Sequence, residues 1–211
     1  MSTTHFWLIR HGETQWNAER RLQGSLDIPL NATGMEQAER LGQYLQSSSF
    51  NARIDTVVSS DLGRAYQTAV TAAGHLQLPI ERNPQLRERC YGVYEGQDWA
   101  NLKALGTLDF RLPNQEVEQG ETLPVFADRI IGAFNTLAQR YRGHNVMAFA
   151  HGGVIDIAWR KANGITLDAT RQAPIVNASI NQFSIDADGN WHSLAWGLVD
   201  HLEDTALDDV M

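Results

Sequence analysis

Apolar positions along the chain follow two rhythms. Phe6-Trp7-Leu8-Ile9, Ile54-Asp55-Thr56-Val57-Val58 and Asn145 to Ala150 are short apolar runs of the kind that form buried strands. Ala32, Met35, Ala38, Leu41 and Leu45 recur at helical spacing, with Asn31 or Thr33 placed to cap the start. Ser59-Ser60-Asp61 signals a second helix start, running to about Leu76. Leu123 to Tyr141 reads as a long helix, and Gly152-Gly153 opens another that ends near Ala162. Ile175 to Ile185 and Trp191 to Trp196 read as two closing strands with a turn at Asp188-Gly189. A polar loop fills the stretch from the first strand to about Leu30. Another irregular stretch, with Pro79, Pro84 and Pro113, runs to Glu121. Strands alternating with helices predict an α/β fold: a three-layer αβα sandwich with a mainly parallel central sheet and an irregular lid insertion over about 79–121. There is no internal repeat or linker, so 1–211 reads as a single domain.

Composition narrows the function. The 211 residues, 43% of them hydrophobic, are ample for a buried core. The one cysteine, Cys90, excludes an intrachain disulfide framework and a Cys-rich zinc site. A net charge of -8 argues against nucleic acid as a partner. No run approaches the ~20 apolar residues of a membrane span, and Phe6 to Ile9 is too short for a signal-peptide core. The expectation is a cytoplasmic protein without a membrane partner, with a homodimer left open. The charge is also uneven. Residues 172–211, with the acidic C-terminal segment from about 186, hold seven of the 25 acids and no Lys or Arg. The remainder is nearly neutral, and 15 of its 17 basic residues are Arg, the better partner for phosphate or carboxylate.

Three strand ends carry candidate chemistry. The first closes in Arg10-His11-Gly12-Glu13-Thr14, the second in Ser59-Ser60-Asp61 with Arg64 a turn later, and the third in Ala150-His151-Gly152-Gly153. In open α/β sheets the carboxyl ends of the strands line the ligand crevice. Two histidines and two arginines meeting there make a cationic pocket, and helix N-termini beginning at Asp61 and Gly152 would favour an anion. Phosphate is the ligand this predicts. Each motif alone has a plain structural reading: a turn, an i,i+3 ion pair between Asp61 and Arg64, or a glycine-requiring loop.

Taken together, the motifs resemble the histidine phosphatase superfamily, the phosphoglycerate-mutase-like proteins. The matching residues are Leu8 to Thr14 with Asn17, Arg21-Leu22-Gln23-Gly24 with Asp27 and Pro29-Leu30, and Ser59 to Ala65 with Thr68-Ala69. They continue with Leu86-Arg87-Glu88, Tyr91-Gly92, Glu95-Gly96, Gly120 to Leu123 and Ala150 to Gly153. The resemblance implies that His11 is the nucleophile and that Arg10, Arg64, His151 and Asn17 bind the phosphoryl group. Gln23, Gly24 and Gly152 extend that rim. Glu88 is the implied general acid, protonated when a phosphate dianion enters; Glu13 is the weaker candidate for that role and reads better as a residue that orients the loop. The implied activity is that of a histidine acid-type phosphatase: hydrolysis of a small-molecule phosphomonoester through phosphohistidine, with no metal and no cofactor.

The same superfamily includes mutases, so a cofactor-dependent phosphoglycerate mutase is the alternative, and 2,3-bisphosphoglycerate would then be its cofactor. A mutase must hold a second anionic group. From Arg89 to Thr122 the only cations are Arg89, Lys103 and Arg111, against six acids, and Trp99 stands where mutases typically carry a lysine. That favours the phosphatase branch. A non-catalytic phosphate-binding scaffold is a weaker reading, since the nucleophile, both arginines and the second histidine are all present. A metallohydrolase is weaker again, because the arginines would repel a cation. Tyr91, Tyr94, Trp99 and Phe110 would either cover an apolar leaving group or pack the insertion onto the core.

Overall fold

The computed structural model of the chain describes residues 2–104, 109–171 and 174–202. Residues 203–211 of the acidic C-terminal segment lie outside the described residues, as does the side chain of Lys103. Strand β1 (Thr4–Arg10) is followed by a short helix α1 (Gln15–Ala18) and by α2 (Ala32–Gln46). Next come β2 (Thr56–Ser59), α3 (Gly63–Ala73) and β3 (Ile80–Arg82). The insertion carries α4 (Trp99–Ala104), and α5 (Leu123–Arg140), β4 (Asn145–Ala150) and α6 (Gly152–Asn163) follow it. Strands β5 (Ile180–Ile185) and β6 (Trp191–Leu198) close the chain's regular structure. The sheet order is β3-β2-β4-β1-β5-β6. The first four strands of that order are mutually parallel, and β5 and β6 are added antiparallel.

The two helical layers follow from the period-2 alternation of the strands. Phe6, Leu8, Val58, Val146 and Ala148 point to one face, against Phe126, Ile130 and Phe134 of α5 and Val154 and Ile155 of α6. Ile9, Val57, Met147 and Phe149 point to the other, against Leu41 and Leu45 of α2 and Ala69 and Ala72 of α3. Continuous apolar runs are what a sheet covered on both sides requires. The resulting architecture is the three-layer α/β sandwich, with the sheet mainly parallel.

Four local expectations are corrected. The polar loop before Leu30 contains α1, whose start Thr14 caps by a reciprocal pair of hydrogen bonds with Asn17. The segment from Pro79 opens with a sheet strand, β3, so the insertion begins after Arg82. The run from Ile175 enters the sheet only at Ile180, because Ala178 turns the chain in the left-handed region at φ 57°. Helix α3 begins at Gly63 rather than Asp61. The cap of α2 is Asn31, whose side chain accepts from the Gly34 N–H. The aromatic residues of the insertion pack on each other: Tyr91 and Phe110 are buried with Leu22, Leu102 and Val117, and Tyr94 and Trp99 flank them. They form a small core of their own.

Candidate active site

The parallel order places β2, β4 and β1 side by side, so their carboxyl ends deliver Ser60, His151 and His11 to one edge. Arg10, His11, Asn17, Gln23, Gly24, Arg64, Glu88 and Gly152 line one small cavity of about 40 Å³, with Trp16, Arg20 and Tyr91 at its margin. His151 lies just behind it, fully buried, its ring centroid 5.2 Å from that of His11. All nine residues singled out from the sequence therefore converge.

The hydrogen bonds fix the state of His11. Its Nδ1 lies 2.7 Å from the Gly12 carbonyl oxygen, which can only accept, so Nδ1 carries the proton. Nε2 keeps its lone pair, which accepts from Arg64 Nε at 3.2 Å. Burial holds the His11 pKa well below the ordinary value, and the charges of Arg64 and Arg10 push it the same way. His151 is held low by burial first and then by the charges of Arg64, His11 and Arg10. Its Nε2 shares a hydrogen bond of 2.8 Å with Ser60 Oγ, and its buried Nδ1 has no partner among the described residues. Both imidazoles are neutral at neutral pH.

Arg64 supplies the charge. It is completely buried, and its fork donates to the carbonyl oxygens of Leu26 at 2.6 Å and Gly24 at 2.7 Å as well as to His11. Burial draws its pKa down to about 10, so it remains a cation at neutral pH. Arg10 is anchored by Nη1 donating to the Ile175 carbonyl at 2.6 Å. Glu88, 8% exposed, receives the Arg89 N–H on one carboxylate oxygen and the Gly153 N–H on the other, both at 2.9 Å. Glycine at 153 admits this approach, since a Cβ there would overlap the carboxylate.

The helix-terminus expectation is corrected. The Gly63 N–H at the start of α3 is answered by Asp27 at 2.9 Å, and Asp61 forks onto Arg87 at 2.7 and 2.6 Å. Asp61 therefore makes no pair with Arg64. At the start of α6 the Gly153 N–H is taken by Glu88, which leaves Gly152 facing the cavity. Glu13 orients the loop as expected, accepting from Asn31 Nδ2 at 2.7 Å. Two contributors act in ways the sequence did not assign: Glu95, a matched motif residue given no role, and Asn177. Glu95 gathers the N–H groups of Ser25, Leu26 and Tyr91, tying the Gln23-Gly24 loop to the insertion. Asn177 is wholly buried behind His11. Its signal was an Asn inside a run otherwise read as strand, where Asn is depleted.

A profile of the histidine phosphatase superfamily (branch 1) matches residues 6–198. The chain belongs to this superfamily. Phosphoglycerate mutase-like protein 4 of Arabidopsis thaliana is 34% identical over 205 residues, covering 94% of this chain and 86% of that protein. The uncharacterized phosphatase PhoE of Bacillus subtilis is 34% identical over 197 residues, covering 92% and 95%. Among solved structures, Bacillus stearothermophilus YhfR superposes with a TM-score of 0.84 at 29% identity, covering 95% of this chain and all of that one. Proteins of this superfamily are phosphatases or mutases, so the chain is an enzyme by family. No helix among the described residues is long and apolar enough to cross a membrane, and no group of three or more His, Cys, Asp and Glu there is arranged to hold a metal ion.

Proposed function

We propose that this histidine phosphatase superfamily member hydrolyses a small-molecule phosphomonoester through a phosphohistidine at His11, without a metal or cofactor. The observation that carries the reading is the neutral His11 whose Nε2 lone pair accepts from the buried Arg64 guanidinium, with the charge of Arg10 acting on the same ring. Phosphoryl transfer needs little from a protein beyond positioning and neutralisation of the equatorial oxygens. An entering phosphate competes for Arg64 Nε, which frees Nε2 to attack phosphorus. The P–N bond forms as the ester P–O bond breaks, and Glu88 gives its proton to the departing oxygen. Water then attacks phosphorus while Glu88 takes a proton back; the P–N bond breaks and inorganic phosphate leaves.

A second cavity, of about 310 Å³, adjoins the first and shares Tyr91 with it. Phe110, Leu112, Leu123, Phe126, Ile157 and Leu167 form its apolar wall, beside Arg89 and Arg160. Asp109, Asp156, Asp168 and Arg171 also line it, so it supports a substrate whose alcohol carries polar as well as apolar groups. Of the insertion's cations, Arg111 forks onto Asp109 at 2.7 Å, and Arg89 donates through Nε and Nη1 to the carbonyls of Glu121 and Phe110. The engagement of Arg111 by Asp109 supports hydrolase over mutase. The mutase reading has its own support in the name of the Arabidopsis relative. The test is a panel of monophosphates, p-nitrophenyl phosphate included, assayed in a chelator beside a 3-phosphoglycerate mutase assay with 2,3-bisphosphoglycerate. Hydrolysis exceeding mutase turnover is expected, and mutase turnover well above every hydrolysis rate would reverse the assignment.

A further inference from the structure

The residues just before β5 make a clamp behind the nucleophile. The Ser179 N–H donates to the Val176 carbonyl at 3.2 Å, forming a turn with Asn177 and Ala178 at its centre. Ala178 occupies the left-handed region at φ 57°, an unfavourable conformation for a residue with a Cβ. The surroundings hold it there. Its N–H points at the carbonyls of Arg10, at 3.1 Å, and His11, at 3.3 Å, while its own carbonyl accepts from His201 Nε2 at 2.9 Å. Such conformations persist where the structure around them demands it, and they cluster at functional sites.

The turn aims the side chain of Asn177 at two cavity residues. Nδ2 lies 3.0 Å from the His11 carbonyl oxygen and 3.4 Å from Asn17 Oδ1. The orientation of both amides follows from chemistry. The His11 carbonyl only accepts, so the atom of Asn177 facing it is the nitrogen. The Thr14 N–H only donates, so the atom of Asn17 facing it, at 3.1 Å, is the oxygen. Asn17 Oδ1 thus collects the Thr14 N–H, the Thr14 hydroxyl at 3.0 Å and the Asn177 amide. What Asn17 offers the cavity is its pair of Nδ2 donors. The buried Oδ1 of Asn177 meanwhile has no hydrogen-bond partner among the described residues. A wholly buried amide that satisfies two neighbours and leaves its own oxygen unanswered is badly placed for stability alone.

We propose that Asn177 is a positioning residue for phosphoryl transfer, tying the His11 backbone to the Asn17 amide so that His11 Nε2 and Asn17 Nδ2 address the same phosphoryl group. The inference rests on the proposed use of His11 as nucleophile. Without the Asn177 donor, the Asn17 oxygen keeps only its two bonds from Thr14, and its Nδ2 is held less firmly in register with His11.

The test is a double-mutant cycle of Asn177→Ala and Asn17→Ala, read by kcat/KM on p-nitrophenyl phosphate and by orthovanadate affinity, with melting temperature as the control for folding. Asn177→Ala is expected to lose on the order of 10- to 100-fold in kcat/KM. In the Asn17→Ala background the same change should cost no more than about threefold, because residues that act through each other are not additive. If Asn177→Ala does not fold, Asn177→Ser, which keeps a polar group in the turn, takes its place in the cycle. Asn177→Asp should also raise the pH of the acid limb of kcat/KM by placing a negative charge behind His11. Arg10, Arg64, His151 and Glu88 face that imidazole from the other elements and are unchanged. Fully multiplicative losses in the cycle, or an Asn177→Ala enzyme within twofold of the parent, would overturn the proposal. A parent that binds vanadate but hydrolyses no ester refutes the hydrolase reading, and the cycle in vanadate affinity then decides the role of Asn177. A parent that binds no vanadate overturns both.

Discussion

Gly153→Ala isolates the placement of the general acid from everything else in the site. Position 153 lies in the first turn of α6 and has no positive φ, so its backbone does not require glycine. Helix propensity alone would favour alanine, by up to about 1 kcal/mol. The neighbours oppose it: a Cβ would sit 3.2 Å from the Glu88 carboxyl carbon, closer still to Oε1, and 3.1 Å from Cε1 of Phe126. The ring belongs to the packed α5 layer and resists, so the carboxylate must give way, on the order of 1 Å. Misplacing a catalytic group by that much costs about 100-fold, or about 2.7 kcal/mol of barrier. The loss should appear where the leaving oxygen needs a proton. Expected kcat/KM for an alkyl phosphate therefore falls about 100-fold, while p-nitrophenyl phosphate, whose phenolate scarcely needs protonation, loses less than about fivefold. The melting temperature should fall modestly, since moving the carboxylate weakens its bonds from the Arg89 and Gly153 N–H groups and the gain in helix propensity offsets only part of that. Equal losses on the two substrates would move the damage from Glu88 to the His11 side, and no loss on either would remove Glu88 from the acid role.

Two further outcomes follow from the charges. Because His11 and His151 are held neutral by burial, the unfolded chain binds protons near pH 6.5 that the folded chain refuses. Their contribution is complete above about pH 6.5 and declines as pH falls below it, by up to about 1.4 kcal/mol per pH unit for each histidine. Urea unfolding between pH 7.5 and 5 should show that slope, and His11→Ala should make it shallower; an unchanged slope contradicts a neutral buried His11. Arg64→Lys replaces a fork spanning His11, Gly24 and Leu26 by one ammonium, so at least one buried carbonyl loses its donor. Stability should fall by about 1–3 kcal/mol and kcat by about 10²- to 10³-fold, checked by melting curves and steady-state kinetics. Activity within tenfold of the parent would contradict the role of the fork.

The fold and the site's membership were legible because both rest on local pattern. Continuous apolar runs marked strands covered on both faces, and the charged motifs stood at their carboxyl ends, where a parallel sheet brings side chains together. What stayed hidden depends on partners far along the chain. Asp27 reaches 36 residues onward to cap α3, Glu88 reaches 65 residues to Gly153, and Asn177 reaches back 166 residues to His11. No spacing announces such pairings. The turn at Ala178 was hidden for a different reason: tertiary contacts force a left-handed backbone on a residue that does not prefer it. The whole-chain charge of -8 carries no information on an anionic substrate at this scale. Two buried arginines act on the cavity at close range, whereas exposed carboxylates beyond a Debye length are screened.

The most direct test of the central claim is to quench the enzyme during turnover of a labelled phosphomonoester and map the modified residue by mass spectrometry. One phosphoryl group on the peptide containing His11, stable in base, lost in acid and absent from His11→Ala, is the predicted result. An acid-stable phosphoester, or a phosphoryl group on any other residue, would contradict it.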